Sequence, residues 1–251
     1  MNKLLPLSFA AFASLAVATC AYAAEPAARW GYTGKGAAPY WGELQPDFAT
    51  CKIGREQSPI DIRGATKATT PAPLAFSYTP SAAEVVNNGH TIQVNLASGG
   101  SVKLPSGSTQ LVQFHFHAPS EEKIAGKPYP LVAHLVHKNA EGQLAVVGVL
   151  FKLGKPNPAL AKVFAAMPAR AGDKNPLAEP FDAAALLPAK QGYYAFVGSL
   201  TTPPCSEGVR WQVLKTPVEL SPGQLDAFRK LYPMNARPVQ PLNGRKVEEH
   251  V

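Results

Sequence analysis

Along Gln113-Phe114-His115-Phe116-His117 polar and aromatic residues alternate without a break. A period of two marks an extended strand with one polar face and one face turned to a hydrophobic core. Gln113, His115 and His117 share the first face, Phe114 and Phe116 the second. Seventeen residues after His117 comes His134, in a second strand-like stretch, Leu131–His137, where Val132, His134 and Val136 share a face and His137 turns the other way. A lone histidine is most simply a hydrogen-bonded core residue, but a cluster of neutral imidazoles is costly to bury. Two histidines at i and i+2 with a third from a neighbouring strand can take three corners of a tetrahedron. The fourth corner is then left to water, which distinguishes a catalytic zinc site from a closed structural one.

The rest of the chain has the same texture. Short β segments are expected at Leu74–Tyr78, Glu84–Asn87, Thr91–Leu96, Gln110–His117, Leu131–His137, Leu144–Phe151, Tyr193–Leu200 and Arg210–Leu214, separated by Gly, Pro, Asn or Ser. Helical signals are few: Pro158–Met167, and Ser221–Leu231 with Ser221 as N-cap and Pro222 in the first turn. From Glu25 to about Lys52 the chain is aromatic and turn-rich and reads as an arm packed on the body. The 25 prolines and 20 glycines are spread through the chain instead of gathering in a linker, and no internal repeat is visible. These features point to one mainly β domain with short peripheral helices.

After Asn2-Lys3 an apolar run leads to Ala21-Tyr22-Ala23, the pattern of a secretory signal peptide, with cleavage expected after Ala23. A lipoprotein reading of Val17-Ala18-Thr19-Cys20 is weaker, since threonine suits that position poorly. Residues 24–251 then form the mature domain, and no other stretch is long and apolar enough to span a membrane. Cys51 and Cys205 are its two cysteines, most simply joined in one disulfide in an oxidising compartment such as the periplasm. The formal charge of +7 falls to +6 without Lys3. Its Lys and Arg residues are scattered, with no basic run, which argues against nucleic acid as a partner.

At this point the residues resemble a known family, the α-class carbonic anhydrases, in particular their secreted bacterial members. The resemblance runs in order through Trp30-Gly31-Tyr32, Gln57–Ile62, Asn87-Asn88-Gly89-His90, Gln113–Ser120, His134–His137, Leu144–Leu150, Ser199–Trp211 and Asn235-Ala236-Arg237-Pro238. It implies a central twisted, mostly antiparallel sheet of about ten strands, with Zn2+ on His115, His117 and His134 at the bottom of a conical cleft. It also implies reversible hydration of CO2 to bicarbonate and a proton by zinc-hydroxide attack. Thr201 matches the threonine that orients the hydroxide and donates to a glutamate, here Glu121, which as a carboxylate can only accept. His90 matches the proton shuttle, and Tyr32, Asn88 and Gln113 match polar pocket residues. Thr202, Val136, Val146, Leu200, Val209 and Trp211, together with Thr201, match the substrate-binding surface. Cys51 and Cys205 match the disulfide of secreted members, and a homodimer is compatible with those relatives.

The chain departs from the family pattern at three places. The glutamate usual two residues before the third ligand is Val132, the histidine usual after the relay glutamate is Glu122, and a tyrosine usual five residues before the relay threonine is Phe196. In the family these positions form one hydrogen-bonded neighbourhood. The expectation is that they changed together, with Glu122 reaching His134 in place of the missing carboxylate and Phe196 filling the vacated polar space. Two competing readings are a binding protein of this fold without catalysis and a zinc hydrolase of unrelated substrate. Against the first, the ligands, Thr201, Glu121 and His90 are all present; against the second, there is no H-E-x-x-H segment.

Overall fold

The alternating segments pair into a large twisted sheet. A computed structural model describes residues 29–251, so the expected leader over residues 1–23 lies outside the described residues. Thirteen strands join the large sheet, ten of them along one continuous path. Among the described residues nine of its pairings are antiparallel and three parallel. Six strands carry the site: β1 (Ile92–Leu96), β2 (Gly107–His117), β3 (Leu131–Lys138), β4 (Leu144–Leu153), β5 (Tyr193–Ser199) and β6 (Glu207–Leu214). They lie side by side in the order β1-β2-β3-β4-β6-β5. In this register His115 faces His134 and His117 faces Val132, while Val146 lies between Val136 and Trp211.

Side-chain parity then sorts the two faces of the sheet. Phe114, Phe116, Leu131, Ala133, Leu135, Val147 and Val149 go to the main core. Val132, Val136, Val146, Leu150, Phe196, Val209 and Trp211 cluster on the other face. His137 follows the core parity, with Nε2 2.7 Å from the Tyr78 hydroxyl. Val112 is an extra residue in β2, because Val136 pairs with Gln113 and His137 with Leu111. This bulge lets Leu111 join the core while Gln113 stays on the site face.

Two helices cover the core face. The helix α1 (Pro158–Ala165) is capped by the Asn157 side chain, which accepts from the N–H groups of Ala159 and Leu160. It stops short of the expected Met167, since Pro168 disfavours helical backbone just before it. The helix α2 (Pro222–Leu231) starts at Ser221, which forms a capping box with Gln224. Phe164 of α1 and Phe228 of α2 both pack edge-on against Phe116.

Other pieces were not expected locally. Gly100–Leu104 forms a hairpin with the start of β2; its glycines and serines read as loop, but Val102 and Leu104 enter the core. A separate small sheet pairs Asp61–Ile62 with Lys123–Ile124 and that in turn with Lys127–Pro128. The arm before Gln57 consists of short helical turns. It is anchored by the fully buried Trp41, whose Nε1 donates to the Gly31 and Gly36 carbonyls, and by the Cys51–Cys205 disulfide.

Candidate metal centre

His115 and His117 rise from one face of β2, and His134 from the adjoining β3. One ring nitrogen from each lies within 4.8 Å of the others. The opposite nitrogen of each ring is held by an acceptor, and that decides the tautomer. His115 Nδ1 is 2.9 Å from Gln113 Oε1, and His117 Nδ1 is 2.7 Å from the Asn235 carbonyl. His134 Nε2 is 3.0 and 3.2 Å from the two oxygens of Glu122. The protons sit on those nitrogens, so lone pairs converge from Nε2, Nε2 and Nδ1.

For His115 and His117 electrostatics agrees with this assignment. Burial, helped by neighbouring His134, pushes His115 down to about 3 and His117 well below the ordinary imidazole value, so both are neutral bases at pH 7. Burial opposes charge on His134 as well, but Glu122 and Glu121 outweigh it and raise that ring's proton affinity. His117 Nε2 is buried without a hydrogen-bond partner, a state that costs about 1–3 kcal/mol. A divalent cation among the three nitrogens would relieve it. Three imidazoles form a borderline-soft donor set that suits zinc.

Glu121 closes the site from below. Its Oε2 lies 3.5 Å from His117 Nε2 and 3.8 Å from His134 Nδ1, with no full hydrogen bond of its own. Its Oε1 accepts the Arg237 backbone N–H at 2.7 Å. Burial pushes Glu121 up to about 7; the positive end of His134, the Thr201 hydroxyl and the Arg237 N–H favour the carboxylate, while Glu122 opposes it. The buried Arg237 side chain donates to Gln57 Oε1, to the Ser58 carbonyl and to the Cys51 carbonyl. Glu121 and the disulfide are thereby tied into one block.

A cavity of about 300 Å³ opens above the histidines. Val136, Leu144, Val146, Leu200 and Trp211 form its apolar side, and Tyr32, Asn88, Gln113, Thr201 and Thr202 also line it. Val209 stays buried behind that wall, outside the lining. His90 lines the cavity, half-buried and stacked face to face on Trp30 with ring centroids 3.6 Å apart; burial lowers its pKa from the ordinary value. Asn88 has a second task, since its Oδ1 accepts from the N–H groups of His90 and Thr91 and so shapes the turn. Beneath the site Val132 is fully buried, and Phe196 stacks parallel to Trp211, whose indole meets the His134 ring edge-on at 4.9 Å. A larger groove of about 650 Å³ runs along β5 and β6, but the three-histidine group lies in the smaller cavity.

Sequence reasoning left Asn235, Arg237 and Trp30 without a role, although the segments holding them were part of the matched pattern. It also placed Gln113 merely in the pocket, where the structure makes it the partner of His115.

Comparisons with known proteins fall in line with this geometry. The family model for eukaryotic-type carbonic anhydrase matches residues 37–251. A carbonic anhydrase of Pectobacterium carotovorum is 48% identical over 217 residues, covering 86% of this chain and 88% of that protein. The solved α-carbonic anhydrase of Thermovibrio ammonificans, in complex with the inhibitor sulfanilamide, superposes with a TM-score of 0.86 at 51% identity, covering 88% of this chain and 99% of the other. That of Photobacterium profundum gives 0.83 at 45%, with 88% and 100% covered.

Proposed function

This chain belongs to the eukaryotic-type, or α, carbonic anhydrase family, lyases that interconvert CO2 and water with bicarbonate and a proton, and we propose that it does so with one zinc ion on His115, His117 and His134. The observation that carries this reading is the convergence of three imidazole lone pairs, two of them on rings that burial keeps neutral, at the floor of a half-apolar cavity. A zinc ion held there would lower the pKa of bound water to about 7 and so supply a nucleophile at neutral pH.

The remaining demands fall on the protein's own groups. CO2 carries neither charge nor dipole, so it is received on the apolar wall of Val136, Val146, Leu200 and Trp211. Glu121, acceptor-only as a carboxylate, draws the Thr201 proton toward itself. The Thr201 lone pairs are then free to orient the nucleophile's hydrogen, and the backbone of Arg237 holds Glu121 for that task. Thr202 completes the polar rim. His90 passes the product proton to buffer, with Tyr32, Asn88 and Gln113 ordering the water between; its place on the cavity lining supports this.

Residues 1–23 are read as a cleaved leader and residues 24–251 as the exported, periplasmic domain, a reading that the Cys51–Cys205 disulfide supports. N-terminal sequencing of the mature protein checks it, and sedimentation checks pairing as a homodimer. The reaction itself is tested by stopped-flow CO2 hydration of wild type and His117→Ala, with zinc measured on both. Wild type should carry about one zinc per chain and be active, and the variant should lose both. Wild type without stoichiometric zinc, or a variant as active as wild type, would overturn the reading.

A further inference from the structure

Of the three imidazoles, His134 alone is held by a charged acceptor, and that acceptor arrives from outside the large sheet. We infer that Glu122 is a positioning residue for the metal centre, and that the small sheet beside it is the device that keeps it aimed at His134. The inference rests on the zinc reading above and deepens it.

The strand β3 offers His134 no acceptor of its own. The neighbours that share its face, Val132 and Val136, are both apolar, and Val132 is packed in a cluster with Phe196, Ile60 and Ile62. Without Glu122 the Nε2–H of a fully buried ring would lack a partner. The ring could then take the other tautomer, with a proton on Nδ1 where a lone pair must face the metal. A carboxylate fixes the matter because it accepts at both oxygens and donates at neither.

The backbone on both sides of Glu122 is clamped. Before it, Ser120 Oγ donates to the Glu122 carbonyl at 2.7 Å and accepts the Tyr129 N–H at 2.8 Å, while the Ser120 N–H donates to the Tyr129 carbonyl at 2.8 Å. After it, Lys123 donates its N–H to the Ile60 carbonyl and pairs with Asp61 in the small sheet. Asp61 Oδ1 in turn accepts the Gly126 N–H at 2.8 Å. Metal affinity in this chain is thereby made to depend on a sheet that touches neither the substrate nor the other two ligands.

Zinc affinity and release rate, measured by competition with a chromophoric chelator, test this on wild type, Glu122→Gln, Ser120→Ala and the double variant Glu122→Val with Val132→Glu. The ring tautomer is read in parallel on metal-free, 15N-histidine-labelled protein, and folding is checked by thermal melting. Glu122→Gln should bind zinc about ten- to a hundredfold more weakly and show a mixed His134 tautomer. Ser120→Ala should weaken binding with every charge in place. Val132→Glu should restore much of the loss, since a carboxylate two residues along the same strand face can reach the ring. Zinc bound within twofold of wild type by Glu122→Gln, or a wild-type His134 protonated on Nδ1, would overturn the inference. So would a loss that Val132→Glu does not recover and that leaves the tautomer unchanged, because that pattern means general damage to the fold. Wild type that takes up no zinc would sink the underlying reading instead, and the two failures are thereby told apart.

Discussion

Acidification from pH 7.5 to pH 4 should cost this protein stability through His137, a residue that faces away from the metal. The ring is fully buried on the core face of β3, and burial pushes its pKa from 6.5 down to about 4. In the unfolded chain the same group titrates near its ordinary value of about 6.5. Between these values the unfolded chain binds a proton that the folded chain refuses, so stability rises with pH across the interval. The contribution is complete above about pH 6.5 and is lost as pH falls toward 4. An interval of about 2.5 units at about 1.36 kcal/mol each gives about 3 kcal/mol. Urea unfolding of wild type and His137→Gln, run side by side over this range, isolates the group, because titration of every other residue is common to both proteins. The stability of wild type relative to the variant should fall by about 3 kcal/mol between pH 7.5 and pH 4. Curves that stay parallel to within about 0.5 kcal/mol would refute the reasoning, since they would mean that the folded protein protonates His137 as readily as the unfolded chain does.

The Cys51–Cys205 disulfide spans 154 residues, for which chain entropy sets a ceiling of about 5 kcal/mol and usual measurements run about 2–4 kcal/mol; urea melts of Cys51→Ser with Cys205→Ser against the oxidised wild type should fall in that range. Val146→Phe, which places a ring against Trp211 in the cavity wall, should lower kcat/KM for CO2 about tenfold or more with zinc content unchanged. His90→Ala should lower kcat about tenfold or more, and added imidazole buffer should restore part of it in stopped-flow assays. Asn235→Ala removes an amide that donates to the His90 and Phe116 carbonyls and accepts the Ala118 N–H; a stability loss of about 2–3 kcal/mol is expected from urea unfolding.

Much of the site was readable along the chain because a strand repeats every two residues. Parity alone put His115 and His117 on one face, set His134 with Val132 and Val136, and sent His137 to the core, where it packs against Tyr78. The Ser221 cap of α2 was equally local. The expected reach of Glu122 to His134 came from weighing a gained carboxylate against a lost one, and the contact stands at 3.0 Å. The Val112 bulge was not readable, since an extra residue shows only against its partner strand, and the hairpin at Gly100–Leu104 was missed although Val102 and Leu104 alternate with polar residues ahead of the Pro105-Ser106-Gly107 turn.

What the chain determined by itself was therefore the residue types and the side of the strand from which each one points, since those depend on nearest neighbours. His115 finds its partner, Gln113, on its own strand, but which nitrogen of the other two rings is free was decided by partners from other segments, above all the Asn235 carbonyl, 118 residues from His117. A backbone carbonyl belongs to every residue and carries no signature in composition or spacing. Its power to set a tautomer exists only once packing has brought it within 2.7 Å of an imidazole and shut out the water that would otherwise compete.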